Sequence, residues 1–246
     1  EKFWGSVTGD VSIVVVVGKY RTGKSFFMNR CLLDGQPSGF NVGDTINSCT
    51  KGIWVYPKVV EVGSGLQKRR VVVMDSEGIG ALDTDPNHDT KIFALALLLS
   101  SQFVYNSVGS IDESAIDTLS LVLKVSEQVR VGASDEDISA ASLATYMPRF
   151  KWVVRDFALR LVDEHGSPIT SDQYLSNALA DTNDPQKNRV RGAIRDCFGN
   201  RSCTTLVRPC TDEDALQQLN TLPFSQMRPN FVEQLSKLRH ELLNGA

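Results

Sequence analysis

Residues 18–25 read Gly-Lys-Tyr-Arg-Thr-Gly-Lys-Ser. Gly18 and Gly23 allow backbone N–H groups to turn inward around phosphate oxygens. The Lys24 ammonium can reach a β- or γ-phosphate, and the Ser25 hydroxyl can bind Mg2+. Arg21 lies inside the same loop and can fold back over the phosphates, where an arginine stabilises the charge of phosphoryl transfer. A glycine-rich turn with solvated side chains is the plain alternative for such a pattern, and the flanking residues argue against it. A run that is β-branched at every position but Ser12, Val11–Val17, precedes the loop, and the helix-like run Ser25–Leu33 follows it. A strand before and a helix N-terminus after are what a phosphate cradle requires.

Further polar groups stand where such a loop needs them. Asp75 ends the run Val71–Met74 and is followed by Ser76-Glu77-Gly78. An acid there can hold Mg2+ through a water. Gly78 would let its N–H approach the γ-phosphate without a side chain intervening. The polar stretch 44–52 offers Thr45, Ser48 and Thr50 as a second Mg2+-binding hydroxyl, and spacing alone does not choose among them. Asp156 follows Trp152-Val-Val-Arg155. Its carboxylate can accept from guanine N1–H and the 2-amino group, a donor pair that adenine lacks. An ion pair with Arg155 or Arg160 is the competing use for it.

The elements that must position these groups alternate. Strands are predicted at Val11–Val17, Arg70–Met74 and Lys151–Val154, a short one at Phe103–Tyr105, and strand character over Lys51–Glu61 with a turn at residues 63–65. Helices are predicted at Ser25–Leu33, Lys91–Leu99 and Asp112–Glu127. Alternation of this kind predicts an α/β fold, a mostly parallel sheet with helices on both faces. Ligands then bind beyond the carboxyl ends of the strands, where the loop, Asp75 and Asp156 all fall. Residues 131–142 and Thr182–Asn188 read as polar loops. A C-terminal helix over about 230–244 is capped in this reading by Asn230 with Glu233 completing a capping box. Its face of Phe231, Leu235, Leu238 and Leu242 requires a partner, either the sheet or a further domain.

Composition narrows the function classes. With 26 basic and 29 acidic residues among 246, the formal charge of −3 gives no basic surface for nucleic acid. Cys31, Cys49, Cys197, Cys203 and Cys210 form no Cys-x-x-Cys pair, so reduced thiols and a cytoplasmic setting are expected rather than zinc. The longest apolar run, Ile92–Leu99, is too short to span a bilayer. The chain starts without Met and stops just after an amphipathic helix, as a piece of a longer protein would.

Taken together, the motifs resemble the GTPase domain of guanylate-binding proteins, large GTPases related to dynamins and atlastins. Besides 18–25, the resemblance rests on Ser-x-Thr-Lys-Gly-Ile-Trp at 48–54, Asp-x-Glu-Gly at 75–78, and the Ile-Phe-Ala-Leu-Ala run at 92–96. It continues through Phe-Val-Tyr-Asn-Ser at 103–107, Trp-x-x-Arg-Asp-Phe at 152–157 and Arg-Pro at 208–209. It covers nearly the whole chain and implies a three-layer P-loop NTPase fold. One GTPase domain over 1–246 is implied, its last helix leading to a helical region beyond this chain. Arg21, Lys24, Ser48, Thr50 and Glu77 are implied as catalytic: Arg21 an internal arginine finger, Thr50 the switch threonine, Ser48 and Glu77 positioning the attacking water. Gly18, Tyr20, Arg21, Thr22, Gly23, Lys24, Ser25, Phe26, Gly78, Arg155, Asp156 and Arg208 are implied as nucleotide-binding. The segment from Arg208 to about Leu222 is implied to cap the base. Ser25, Thr50 and, through water, Asp75 are implied as Mg2+ ligands.

The resemblance further implies GTP as substrate, GDP and in some relatives GMP as product, and a homodimer formed through the GTPase domains. A GTP-driven assembly switch with little hydrolysis is the alternative. So is an atlastin-like tether whose membrane or lipid contacts lie outside this chain. The sequence departs from the family at Ser76, where Thr is frequent, at Cys49, where His is frequent, and at Lys19, where an apolar residue is common. None of these removes a catalytic group.

Overall fold

A computed structural model describes residues 3, 5, 7, 9–33, 39–42, 50–63, 68–80, 85–125, 145 and 147–245. Strand β1 (Ser12–Val17) lies at the centre of the sheet, and helix α1 (Lys24–Cys31) follows it. Two short strands, β2 (Ile53–Val55) and β3 (Val60–Val62), both run antiparallel to β4 (Arg69–Ser76). Then come α2 (Pro86–Leu99), β5 (Gln102–Val108), α3 (Glu113–Thr118) and β6 (Arg149–Arg155). The chain continues through α4 (Ser171–Ala178), α5 (Pro185–Cys197), β7 (Arg201–Thr205), α6 (Glu213–Gln217) and α7 (Pro229–Gly245). The strand order is β2-β4-β1-β5-β6-β7, with β3 also on β4. Strands β4, β1, β5, β6 and β7 are mutually parallel, so their carboxyl ends share one edge.

Burial on both faces explains the unbroken valine runs, because alternation is needed only where one face meets water. Val15, Val17, Val72 and Met74 pack with Phe93 and Leu97 of α2, Ile116 of α3 and Ile194 of α5. Val14, Val16, Val71 and Val73 pack on the opposite face with Phe27 and Met28 of α1 and with Phe231, Leu235, Leu238 and Leu242 of α7. The apolar face of the last helix is thus met by the sheet and α1. Among the described residues, no helix is long and apolar enough to cross a membrane.

Several boundaries and one loop assignment differ from expectation. The Thr182–Asn188 stretch is not wholly loop, because α5 begins at Pro185. Asp184 caps it, accepting from the N–H groups of Gln186 and Lys187, and proline suits the first helical position. Helix α7 likewise starts at Pro229, so Asn230 lies inside the helix rather than capping it. Glu233 pairs with Lys237 instead of completing a capping box. The 112–127 helix is broken: α3 ends at Thr118, and a separate helical turn covers 121–125. Strand β7 and helix α4 were not anticipated from the sequence. The loop expected at 131–142 and most of the turn at 63–65 lie outside the described residues.

Candidate functional site

The site is assembled at the carboxyl edge of the parallel strands. The loop leaving β1 is tied to the segment leaving β4 by two backbone bonds, Tyr20 N–H to Ile79 O (3.0 Å) and Ile79 N–H to Gly18 O (3.1 Å). Gly78 sits inside this contact. A Cβ there would lie 2.5 Å from Tyr20 Cα and 3.1 Å from Lys24 Nζ. Gly23, at φ 70°, occupies left-handed backbone that disfavours other residues, and a Cβ would strike Arg155. From β5, Asn106 Nδ2 donates to Thr22 O (3.0 Å), bracing the loop from its other side. The Thr22 hydroxyl donates to Lys19 O (2.8 Å).

Lys24, the first residue of α1, is buried, and its ammonium donates to Lys19 O (3.2 Å). Burial pulls its pKa down from 10.5 to about 8, against the opposing charges of Asp75 and Glu77. Asp75 is fully buried at the end of β4, opposite Val16 of β1. Its Oδ2 accepts from the Ser25 hydroxyl (2.6 Å) and from the Thr50 hydroxyl (3.0 Å). Its Oδ1 is buried with no hydrogen-bond partner among the described residues. Burial pushes the Asp75 pKa up, while the two hydroxyls and Lys24 push it down. Two hydroxyls converging on one carboxylate, with an unsatisfied carboxylate oxygen beside them, form a hard-oxygen donor set of the kind Mg2+ takes. Of the three hydroxyls offered by residues 44–52, only Thr50 is among the described residues, and it lies here. Thr45, Ser48 and Cys49 lie outside the described residues.

Glu77 grips the strand entering from Thr50. Its N–H donates to Gly52 O and its Oε2 accepts from Gly52 N–H, both at 2.7 Å. The same Oε2 meets His88 Nε2 of α2 at 3.0 Å. Asp89, the next residue, accepts from Gly80 N–H (2.8 Å), so the start of α2 holds the segment after Asp75 at two points.

The base-side candidates lie at the end of β6. Arg155 is buried and donates to the carbonyls of Thr22 (3.2 Å) and Gly23 (2.8 Å), with its guanidinium 5.4 Å from the Phe26 ring. It comes only within 3.9 Å of Asp156, so its best bonds go to the loop after β1 rather than to the neighbouring acid. Asp156 has φ 54°, and its Oδ1 is buried with no hydrogen-bond partner among the described residues. Arg21 also has positive φ and places its guanidinium 5.6 Å from the Tyr20 ring. Arg208 pairs with Glu213 of α6 at 3.1 Å.

Three contributors escaped the sequence reading. Asn106 carried a signal, being a polar residue near the end of a buried strand. His88, and Arg30 of α1, which donates to the carbonyls of Leu219, Asn220 and Leu222, carry none, since their partners come from other segments.

The sequence model of the guanylate-binding protein N-terminal domain matches residues 5–246. Guanylate-binding protein 3 of Mus musculus is 39% identical over 236 residues, covering 92% of this chain and 37% of that protein. Guanylate-binding protein 4 of Homo sapiens is 38% identical over 239 residues, with 93% and 36% covered. Guanylate-binding protein 2 of Homo sapiens is 36% identical over 256 residues, with 99% and 42% covered. The chain thus spans about two-fifths of the length of the curated relatives it matches. Such a match, over a parallel sheet with a glycine loop at its carboxyl edge, makes this chain a member of the guanylate-binding protein family, in the region of its N-terminal domain.

Proposed function

We propose that the chain binds GTP and hydrolyses it to GDP with Mg2+, and that pairing of two such domains raises the rate. One observation carries the reading: Asp75 gathers the hydroxyls of Ser25 and Thr50 beside the loop that presents Lys24. The β- and γ-phosphates would lie against the loop N–H groups and the Lys24 ammonium. Mg2+, when bound, would be held by Ser25 and Thr50 with Asp75 behind them, and supplies Lewis-acid neutralisation of phosphate charge. Water attacks the γ-phosphate in line. Ser48 and Glu77 orient it, and Arg21 meets the charge that develops. Asp156 reads the guanine edge and Arg208 flanks the base. Pairing through the GTPase domains is supported by family membership alone.

The test is product analysis by chromatography after incubation with Mg2+ and GTP at several protein concentrations, with ATP in parallel. GDP formation with specific activity rising with concentration is expected. Tight GTP binding without turnover would replace this reading with an assembly switch, and equal use of ATP would remove the role given to Asp156.

The close approach at Gly78 adds a prediction. Gly78→Ala forces a methyl group against Tyr20 backbone and Lys24. It is expected to weaken guanine nucleotide binding at least ~10-fold, since core overpacking typically costs about 1–3 kcal/mol. Titration with a fluorescent GDP analogue checks this, and unchanged affinity would mean that the phosphates bind elsewhere.

A further inference from the structure

Glu77 is buried, and a carboxylate taken out of water needs donors to compensate it. One of its oxygens takes two. Oε2 accepts from Gly52 N–H at 2.7 Å and lies 3.0 Å from Nε2 of His88. An ionised carboxylate only accepts, so the His88 ring brings the proton at Nε2. Both bonds fall on the same oxygen, and Oε1 takes part in neither. Donors from two different segments therefore fix the carboxylate through Oε2 and, with it, the direction of Oε1.

The two donors differ in what stands behind them. Gly52 precedes β2, a short strand at the end of the sheet order whose Trp54 is exposed. His88 stands in the first turn of α2, and that turn is secured at both ends. Asp85 accepts from Asn87 N–H (3.0 Å), and Pro86 opens the helix. Asp89 accepts from Gly80 N–H (2.8 Å). Further along, Phe93, Ala96 and Leu97 are buried in the core with Val15, Val17 and Met74 of the sheet. Of the two donors, His88 is thus the one carried by a helix seated on the core. Its own side chain is 45% exposed, so packing does not account for its placement. The bond to Glu77 does.

We infer that His88 is a positioning residue for Glu77: from the start of α2 it holds the carboxylate at Oε2, so that the carboxylate keeps one direction toward the water that attacks the γ-phosphate. The inference rests on the GTPase reading above, which gives Glu77 the task of orienting that water. Groups held in productive geometry before the reaction supply a large part of its rate, and a misplacement of about 1 Å can cost on the order of 10²-fold. The loop after β1 and the Asp75 node are held by other groups, namely Asn106, Thr22, Ser25 and Thr50. Loss of the His88 donor therefore falls on the chemical step and leaves nucleotide binding in place.

The experiment compares His88→Ala, which removes the donor, with His88→Gln, whose amide N–H can stand near the place of Nε2. Phosphate release at saturating GTP with Mg2+ gives kcat, and titration gives Kd for GDP. His88→Ala is expected to lower kcat ~10-fold or more, the scale of a hydrogen bond to a charged group. Its Kd for GDP is expected to stay within twofold, and His88→Gln is expected to recover most of the lost kcat. Unchanged kcat in His88→Ala overturns the inference. So does a fall in kcat matched by an equal loss of affinity, which would make His88 a general support of the fold. A glutamine variant no better than the alanine one overturns it as well, because the donor would then not be what matters. If His88→Ala does not fold, His88→Leu replaces it, with bulk nearer that of the ring and no donor. Failure of both to fold also makes His88 a support of the fold and overturns the inference. Failure of the parent reading shows separately, because the unsubstituted chain would then release no phosphate from GTP, and the inference falls with it.

Discussion

Lys24→Met is expected to abolish GTP turnover, lowering kcat by about 10³-fold or more, while raising the melting temperature of the nucleotide-free protein. The first effect follows from removing a cation aimed at charge that grows in the transition state. The second follows from burial. The folded-state pKa of Lys24, about 8, lies below its usual 10.5, so folding disfavours the charged form. That opposition is fully present below pH 8 and vanishes above about pH 10.5. At neutral pH it amounts to roughly 3 kcal/mol. An inactive variant that melts at a higher temperature separates lost chemistry from lost fold. A lower melting temperature would refute the account. Phosphate oxygens beside the ammonium must raise its pKa again, so nucleotide binding between about pH 8 and pH 10 takes up a proton. Calorimetry in buffers of different ionisation enthalpy measures this uptake, and the Met variant should lack it.

Asp156→Asn is expected to lower affinity for GDP by about 10²-fold or more and to transfer preference to the xanthine nucleotide. In the proposed reading the carboxylate accepts two hydrogen bonds from guanine, and an amide would turn one acceptor into a donor, which then faces a donor. Xanthine carries an oxygen in place of the 2-amino group and restores the match. Asparagine is the apt replacement because φ at this position is 54°, a region that Asp and Asn tolerate better than most residues. Competition titrations with GDP and the xanthine diphosphate decide the point. An unchanged preference for GDP would mean that the base is read by other groups.

What was legible in the sequence was what local pattern dictates. The valine run of β1, the loop after it and the acid closing β4 each announce themselves, because both-face burial and phosphate geometry impose strict local demands. The start of α5 is legible too: Asp184-Pro185, inside the stretch that reads as a polar loop, equally fits a cap and first helical residue. Helix α4 carries a complete capping box between Thr170 and Gln173, a local start signal that the sequence does display. Strand β7 was not readable. Its residues Arg-Ser-Cys-Thr-Thr have neither alternation nor an apolar run, and only pairing with β6 makes them a strand. The links of Arg30 to residues 219–222 and of His88 to Glu77 join segments that no periodicity relates.

The position of β1 at the centre of the sheet governs how the molecule comes into being. Its partners are both synthesised later, Val71 pairing with Ser12 on one side and Gln102 with Val14 on the other. Within itself the loop after β1 makes the bonds of Thr22 and Lys24 to Lys19 O, and its other anchors come from later strands. Asn106 from β5 and Asp75 from β4 supply them. Until both strands have docked there is no cradle, and docking partners so distant along the chain is slow. A ligand that requires the finished arrangement stabilises it by mass action but gains little purchase on the transition state before it. Under the GTPase reading, nucleotide is therefore expected to prolong the life of the folded chain and not to hasten its birth.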